Sequence, residues 1–336
     1  MAVFTLRFRP VQRCIYLVIL IPILFILYRI NTSVSNTCSI QISPRLFGHY
    51  PIHGYNPSPL VKSSPQEKRL LTVTLPNITS TTRNAFWIIH SAPANFANRE
   101  FIRNEYFQET KKADIIPIFV ILRANLSQTS QMVREEYQKF NDIIIVENVV
   151  DSYHSISYKV RAWITYLNKY HKPLYVIKTD DDIMIDWRNT INLLNKLKKH
   201  RNMMLCRVYT NGQVVRNNRS KWYLSKEEYK SNSLGTYCQG MAMAFSGNLI
   251  ESMAGNINKV QYLWMDDWYL SRALLNTTKT LYIDIGSHYL STNSMTELKH
   301  FFRTPRNILF AHFRGPRRYD LDERKETWDQ VKQAEC

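Results

Sequence analysis

Three consecutive aspartates, Asp180, Asp181 and Asp182, follow the apolar run Tyr175, Val176, Ile177 by way of Lys178 and Thr179, and apolar residues resume at Ile183. Adjacent carboxylates repel one another, so a fold that keeps them must supply something to offset the charge. Carboxylates with nothing between them can share a hard divalent cation, and Mg²⁺ or Mn²⁺ prefers such oxygen ligands. An ion held this way commonly bridges to a diphosphate. An EF-hand loop is excluded, because its glycine and its later glutamate are missing. A nuclease or polymerase cluster also uses metal, but it does not suit a chain whose N-terminus reads as a membrane anchor. A solvated acidic turn is the bland alternative, and the apolar residues on both sides argue against it.

A second acidic pair, Asp266 and Asp267, stands between Trp264 and Trp268 in QYLWMDDWYLSRAL. Such a pair can be an ordinary helix N-cap. It can also be a desolvated carboxylate of raised basicity that takes a proton from a hydroxyl. A metal at one acidic site and a base at the other is the equipment needed to move a sugar from a nucleotide diphosphate. Two later histidines, His288 in IGSHYL and His312 in ILFAHFRG, each follow a strand-like run and could complete a metal shell.

The elements around these residues alternate. Buried-strand patterns are expected at Ala85–Ala92, Asp114–Leu122, Asp142–Val149 and Pro173–Thr179, with helical patterns at Ala97–Lys112, Ser130–Phe140 and Ser157–Tyr170 between them. Strand–helix–strand alternation argues for an α/β fold with a parallel sheet covered on both faces. The aspartates then sit at the carboxyl end of a strand, where open parallel sheets bind ligands. Helices are expected at Trp187–His200 and Met265–Asn276, and further strands at Met203–Tyr209, Gly240–Ser246 and Thr280–Gly286.

The N-terminus speaks to the compartment. Cys14 to Tyr28 is free of charge, flanked by Arg13 and Arg29, and preceded by Arg7 and Arg9. This reads as a signal anchor over residues 14–30 with residues 1–13 cytoplasmic, rather than a cleaved signal peptide. The proline-rich residues 31–82 read as a lumenal stem, and residues 83–336 as one globular domain. Five N-x-S/T triplets, at Asn31, Asn77, Asn125, Asn218 and Asn276, are compatible with a lumenal domain. Of the cysteines beyond the anchor (Cys38, Cys206, Cys238 and Cys336), Cys206 and Cys238 are the pair expected to join, with buried free thiols as the alternative. The net charge of +17 suggests a phosphate-bearing or polyanionic partner without choosing one.

Five motifs, in order, resemble those of the β1,3-galactosyltransferases and β1,3-N-acetylglucosaminyltransferases, to which Fringe is more distantly related. Arg99, Ile102, Arg103 and Tyr106 resemble R-x-x-I-R-x-T-W, and DSYHSISYK (Asp151–Lys159) resembles D-x-Y-x-N-L-T-x-K. KTDDD (Lys178–Asp182) matches the metal motif, while YCQGMAMAFS (Tyr237–Ser246) and DDWYLS (Asp266–Ser271) resemble the later segments Y-x-x-G-x-x-Y-x-x-S and E-D-V-Y-x-G. Asp266, Trp268 and Ser271 depart from the last of these, replacing Glu, a small aliphatic residue and Gly. The resemblance implies a GT-A-type mixed sheet that binds a UDP-sugar, an Mn²⁺ or similar ion on Asp182 and Asp180, and inverting transfer to a glycan acceptor with Asp267 as base. It also favours His312 as the histidine ligand. Ser91, Arg99, Asp180 and Asp181 are the expected donor contacts, ordinary capping and surface roles being the alternative for Ser91 and Arg99. A Golgi membrane location is implied, and no nucleic-acid partner. Two other readings stay open: a catalytically dead, transferase-shaped lectin or chaperone, and an anchored polyanion binder using Lys196–Arg201 and Arg314–Tyr319.

Overall fold

The computed structural model describes residues 69–79, 84–198, 200–292, 297, 308–314 and 320–335. The expected anchor and the first part of the expected stem lie outside them. Among the described residues no helix is long and apolar enough to cross a membrane.

The strands β1 (Val73–Thr74), β2 (Ala85–His90), β3 (Ile115–Arg123), β4 (Ile143–Val150), β5 (Tyr175–Asp180), β7 (Met203–Gln213), β8 (Ser233–Ser246) and β9 (Leu281–Asp284) form one sheet. Their order is β1-β4-β3-β2-β5-β8-β7-β9. A smaller sheet joins β10 (Tyr289–Thr292), β11 (Phe310–Phe313) and β6 (Ile183–Ile185) in that order. The central strands β4, β3, β2 and β5 run parallel, as alternation with helices requires. The sheet is nonetheless mixed, because β8 pairs antiparallel with both β5 and β7. The short β1, inside the segment expected to be stem, pairs antiparallel with β4 and so belongs to the folded body.

Strand residues alternate between two cores. Ala85, Trp87 and Ile89 face one apolar cluster, and Phe86 and Ile88 face the other. Tyr175 and Ile177 likewise oppose Val176, and Ala242 and Ala244 oppose Met243 and Phe245. A strand apolar on both faces can only be covered on both. The first face is covered by α1 (Phe96–Lys112), α2 (Ser127–Phe140), α4 (Trp187–Lys196) and α7 (Leu321–Glu335), which supply Ile102, Val133, Leu193 and Trp328. The second is covered by α3 (Ser157–Tyr170), α5 (Leu249–Asn256) and α6 (Asp266–Ser271), which supply Trp163, Met253 and Leu270. The helix expected over Met265–Asn276 is cut to α6 and followed by a 3₁₀ turn at Ala273–Leu275.

Two consequences matter for the site. From β2 the chain builds outward through β3 and β4, then returns across the sheet to place β5 on the other side of β2. The order therefore reverses between β2 and β5, the crevice where open α/β sheets receive ligands. Cys206 of β7 and Cys238 of β8 are joined by a disulfide, 5.6 Å between Cα atoms, which ties together the strands beneath α6.

Candidate active site

At the reversal point β2 and β5 end in register, with His90 opposite Asp180. The three aspartates fan into different surroundings from there. Asp181 turns inward, where its carboxylate accepts from Ser91 Oγ at 2.6 Å, Asn95 Nδ2 at 2.9 Å and Asn98 Nδ2 at 3.3 Å. Burial pushes its carboxyl up, and these donors pull the other way. Ser91 Oγ in turn accepts from Arg99 Nη1 at 2.9 Å. Arg99 is fully buried and spends its remaining donors on Glu136, Ala92 O and Pro93 O. Arg99 thus braces the loop after β2 and acts on Asp181 through Ser91.

Asp180 stays at the mouth, with 41% of its side chain exposed. Its carboxyl is pushed up, first by the surrounding protein and then by Asp266 and Asp182, against the pull of Lys178; solvent at the mouth tempers the shift. Asp182 is buried, and its Oδ2 lies 3.3 Å from His312 Nε2. The small sheet makes this contact, because β11 pairs with β6 so that His312 lies opposite Ile183. His288 stands just before β10, where its carbonyl accepts from the Leu309 N–H.

The second acidic pair meets the first through Lys178, which lies almost wholly buried in β5. Its ammonium donates to Asp180 Oδ1 at 2.9 Å and Gly240 O at 2.7 Å, and stands 3.1 Å from Asp266 Oδ2. Burial alone would lower the Lys178 pKa, but Asp180 and Asp266 hold it above the usual lysine value. His90 Nδ1 approaches the same Asp266 oxygen at 3.2 Å. Trp163 Nε1 donates to His90 Nε2 at 3.1 Å, which leaves the imidazole proton on Nδ1, toward Asp266. Burial and the Lys178 charge lower the His90 pKa to about 3, so the ring is neutral.

The neighbours Asp266 and Asp267 are driven apart as a result. Burial would raise Asp266, yet Lys178 and His90 hold it below the usual carboxylate range. For Asp267 the pull of Lys178 is outweighed: burial, then the Asp266 charge, push it up to about 7. Its Oδ1 accepts from the Trp268 N–H at 2.7 Å. Gly240 lets α6 come this close to β8, since a Cβ there would stand 2.9 Å from Asp267 Cβ. Two residues that depart from the related motif fasten the same helix. Ser271 Oγ donates to Asp267 O and accepts from the Cys238 N–H, while Trp268 Nε1 donates to Leu234 O.

A metal can be tested against these groups. Among the described residues no three His, Cys, Asp or Glu side chains are placed to hold an ion unaided. His312 Nε2 is nonetheless buried, makes no hydrogen bond, and faces a buried carboxylate oxygen at 3.3 Å. Adjacent ligands of an octahedral ion with bonds of about 2.1 Å stand about 3 Å apart. Carboxylate plus imidazole is a donor set that Mn²⁺ accepts, with remaining positions left for substrate oxygens. The residues fit the ion.

The structure brings Asp180, Asp181, Asp182, Asp266, Asp267, Ser91 and His312 to one end of the main sheet. Lys178 and His90 were not picked out from sequence; the one available signal was Lys178 inside KTDDD. Of the basic runs, the described residues of 196–201 are exposed except Leu197, and residues 315–319 lie outside the described set.

Residues 97–285, more than half of the chain, match the family model described as Galactosyltransferase. β-1,3-Galactosyltransferase 1 of Mus musculus and of Homo sapiens are each 30% identical over 191 residues, covering 56% of this chain and 58% of theirs. β-1,3-Galactosyltransferase 2 of Mus musculus is 28% identical over 200 residues, covering 56% of this chain and 46% of its own. The match thus spans about half the length of these relatives. Among solved structures, galactosyltransferase LgtC in complex with donor and acceptor sugar analogs is 12% identical with a TM-score of 0.35, covering 73% of this chain and 95% of that chain. That likeness is too loose to carry an argument.

Proposed function

Because the chain belongs to the galactosyltransferase family, we propose that it is an inverting, metal-dependent hexosyltransferase that moves galactose or N-acetylglucosamine from a UDP-sugar to a glycan acceptor in β1,3 linkage. Its similarity to β-1,3-galactosyltransferases 1 and 2 favours galactose. The observation that carries the reading is the contrast between Asp266, held ionised by Lys178 and His90, and Asp267, raised to about 7. A carboxylate with that pKa can take a proton near neutrality, which is what a general base does.

In this reading the acceptor hydroxyl lies against Asp267 and gives up its proton as it attacks the anomeric carbon. The new carbon–oxygen bond forms on the face opposite UDP while the bond to the diphosphate oxygen breaks, so the configuration inverts. Asp182 and His312, with Asp180 beside them, would hold the divalent cation. When bound, such an ion supplies Lewis-acid stabilisation of the UDP leaving group. Lys178 keeps the two acidic sites at a fixed separation. Of the expected donor contacts Asp180 is the one open to solvent, and Ser91, Arg99 and Asp181 act from behind by holding the loop after β2. We assign the protein to the Golgi membrane, anchored by residues 14–30 with the catalytic domain lumenal.

The test is to incubate the chain with UDP-galactose or UDP-N-acetylglucosamine and β-linked acceptor glycosides, with and without Mn²⁺. Acceptor-dependent UDP release that EDTA abolishes is the expected result. Absence of turnover with every donor overturns the reading.

A further inference from the structure

Next to Asp267 the chain carries exposed aromatic surface that the transfer chemistry leaves unexplained. Residues 214–232, between β7 and β8, form a loop held from inside by Arg216. Its guanidinium donates to the carbonyls of Leu224, Ser225, Tyr229 and Ser231, each at 2.6 Å. Leu224 is fully buried in a third apolar cluster with Leu234, Tyr237, Leu263 and Trp264, which partly buried Met265 and Trp268 flank. Gln261 Nε2 closes the far side on Glu228 O at 2.9 Å. A loop pinned at so many points presents its outer side chains in fixed positions.

One of those side chains is Trp222, half exposed. It neighbours Tyr153, itself 45% exposed, in the turn before α3. The Tyr153 ring packs 5.2 Å from the Trp264 ring, just ahead of the acidic pair. Asp266, Asp267 and Asp180 are all near enough to act on the Tyr153 hydroxyl, whose pKa is raised by burial first and then by those charges. The Lys221 ammonium stands at the rim, 4.5 Å from the Trp222 ring centre and 5.9 Å from that of Tyr153.

We propose that Tyr153 and Trp222 are the platform on which the terminal pyranose of the acceptor lies. Its C–H face rests on the rings, and its attacking hydroxyl points at Asp267. A pyranose has an apolar face and a rim of hydroxyls, which matches paired aromatic rings bordered by carboxylates and one ammonium. Uracil, being flat, could stack there as well. The nearness of Asp267 decides for the acceptor, since the group beside the base is the one that loses a proton. The proposal rests on the transferase reading.

Trp222→Ala, Trp222→Phe and Tyr153→Ala in the full chain test it, with methyl β-D-galactopyranoside and methyl N-acetyl-β-D-glucosaminide as probes. Kinetics are run with whichever UDP-sugar the wild type uses. Trp222→Ala and Tyr153→Ala are expected to raise the acceptor KM about tenfold while the donor KM moves less than about twofold, and Trp222→Phe to retain most of the affinity. Saturation-transfer NMR with the same probes supplies a readout independent of turnover, and is expected to mark the C–H protons of one sugar face. Unchanged acceptor KM in both alanine variants overturns the platform. So does a rise confined to the donor KM, which would make it a uracil site, and so does failure of either probe to bind the wild type. Probe binding that Trp222→Ala abolishes, in a wild type that turns over no UDP-sugar, would support the platform and refute the transferase reading instead.

Discussion

The ammonium of Lys178 and the carboxylate of Asp266 stand 3.1 Å apart at the centre of the site, one from strand β5 and the other from helix α6. The same ammonium also bonds to Asp180, so a single buried cation neutralises members of both acidic motifs. Three aspartates in a row are tolerated because none is left facing another alone: Lys178 takes Asp180, a hydroxyl and two amides take Asp181, and an imidazole faces Asp182.

Removing that cation should be costly. Lys178→Met is expected to destabilise the fold by about 3 kcal/mol, since breaking a buried pair leaves its partners uncompensated and solvent at Asp180 relieves part of the loss. Chemical denaturation compared with wild type reads the difference. A change below about 1 kcal/mol would mean that Asp266 is solvated or neutral.

Asp267→Asn keeps the shape and the bond from the Trp268 N–H but cannot accept the acceptor proton. Turnover should fall about 10²–10⁴-fold with the UDP-sugar KM nearly unchanged. If Asp266→Asn loses that much and Asp267→Asn does not, the base is Asp266.

The raised pKa of Asp267 fixes a sign for pH dependence. The base works ionised, so kcat/KM should climb with pH and level off above about 7. Stability should move oppositely. Between the unfolded value of about 4 and the folded value of about 7, the native state alone keeps this proton, so its contribution is present at low pH and lost as pH rises. Asp267→Asn should flatten both curves over that window. A pH–rate profile of unchanged shape in Asp267→Asn would show that another group titrates.

Metal affinity should rest on Asp182 and His312. His312→Ala is expected to raise the Mn²⁺ concentration for half-maximal activity more than the UDP-sugar KM, and Asp182→Ala to abolish activity with the fold retained. If His288→Ala has the first effect and His312→Ala does not, the ligand is His288.

Glycosylation should follow exposure. Asn77, Asn125 and Asn218 are exposed, whereas Asn276 is 8% exposed with both side-chain amide atoms buried. In protein made in secretory cells, Asn125→Gln and Asn218→Gln should each increase gel mobility, and Asn276→Gln should not. Insensitivity of the wild type to glycosidase would refute the lumenal placement.

Much of this protein is legible in its sequence because the causes are local. A run such as Ala85–Ile89, apolar at every position, has to be a strand covered on both faces, and the Asp triplet reads as a strand-end feature because the apolar run before it stops there. The Cys206–Cys238 pairing was also within reach, both residues falling in the compact second half. The two-residue strand β1 was not, since it is too short to show a period and exists because β4 offers it an edge. Which acid is the candidate base was beyond local reading too. Asp266 and Asp267 are the same residue type, one position apart, and they differ because Lys178 and His90 contact one carboxylate directly while the other, packed against Gly240, is raised by burial and by the Asp266 charge. Likewise the β11–β6 register, and no feature of the ILFAHFRG run itself, brings His312 to Asp182. Periodicity and strand ends are properties of neighbours along the chain. Charge pairing and its effect on a pKa belong to neighbours in space, and only the packed sheet decides who they are.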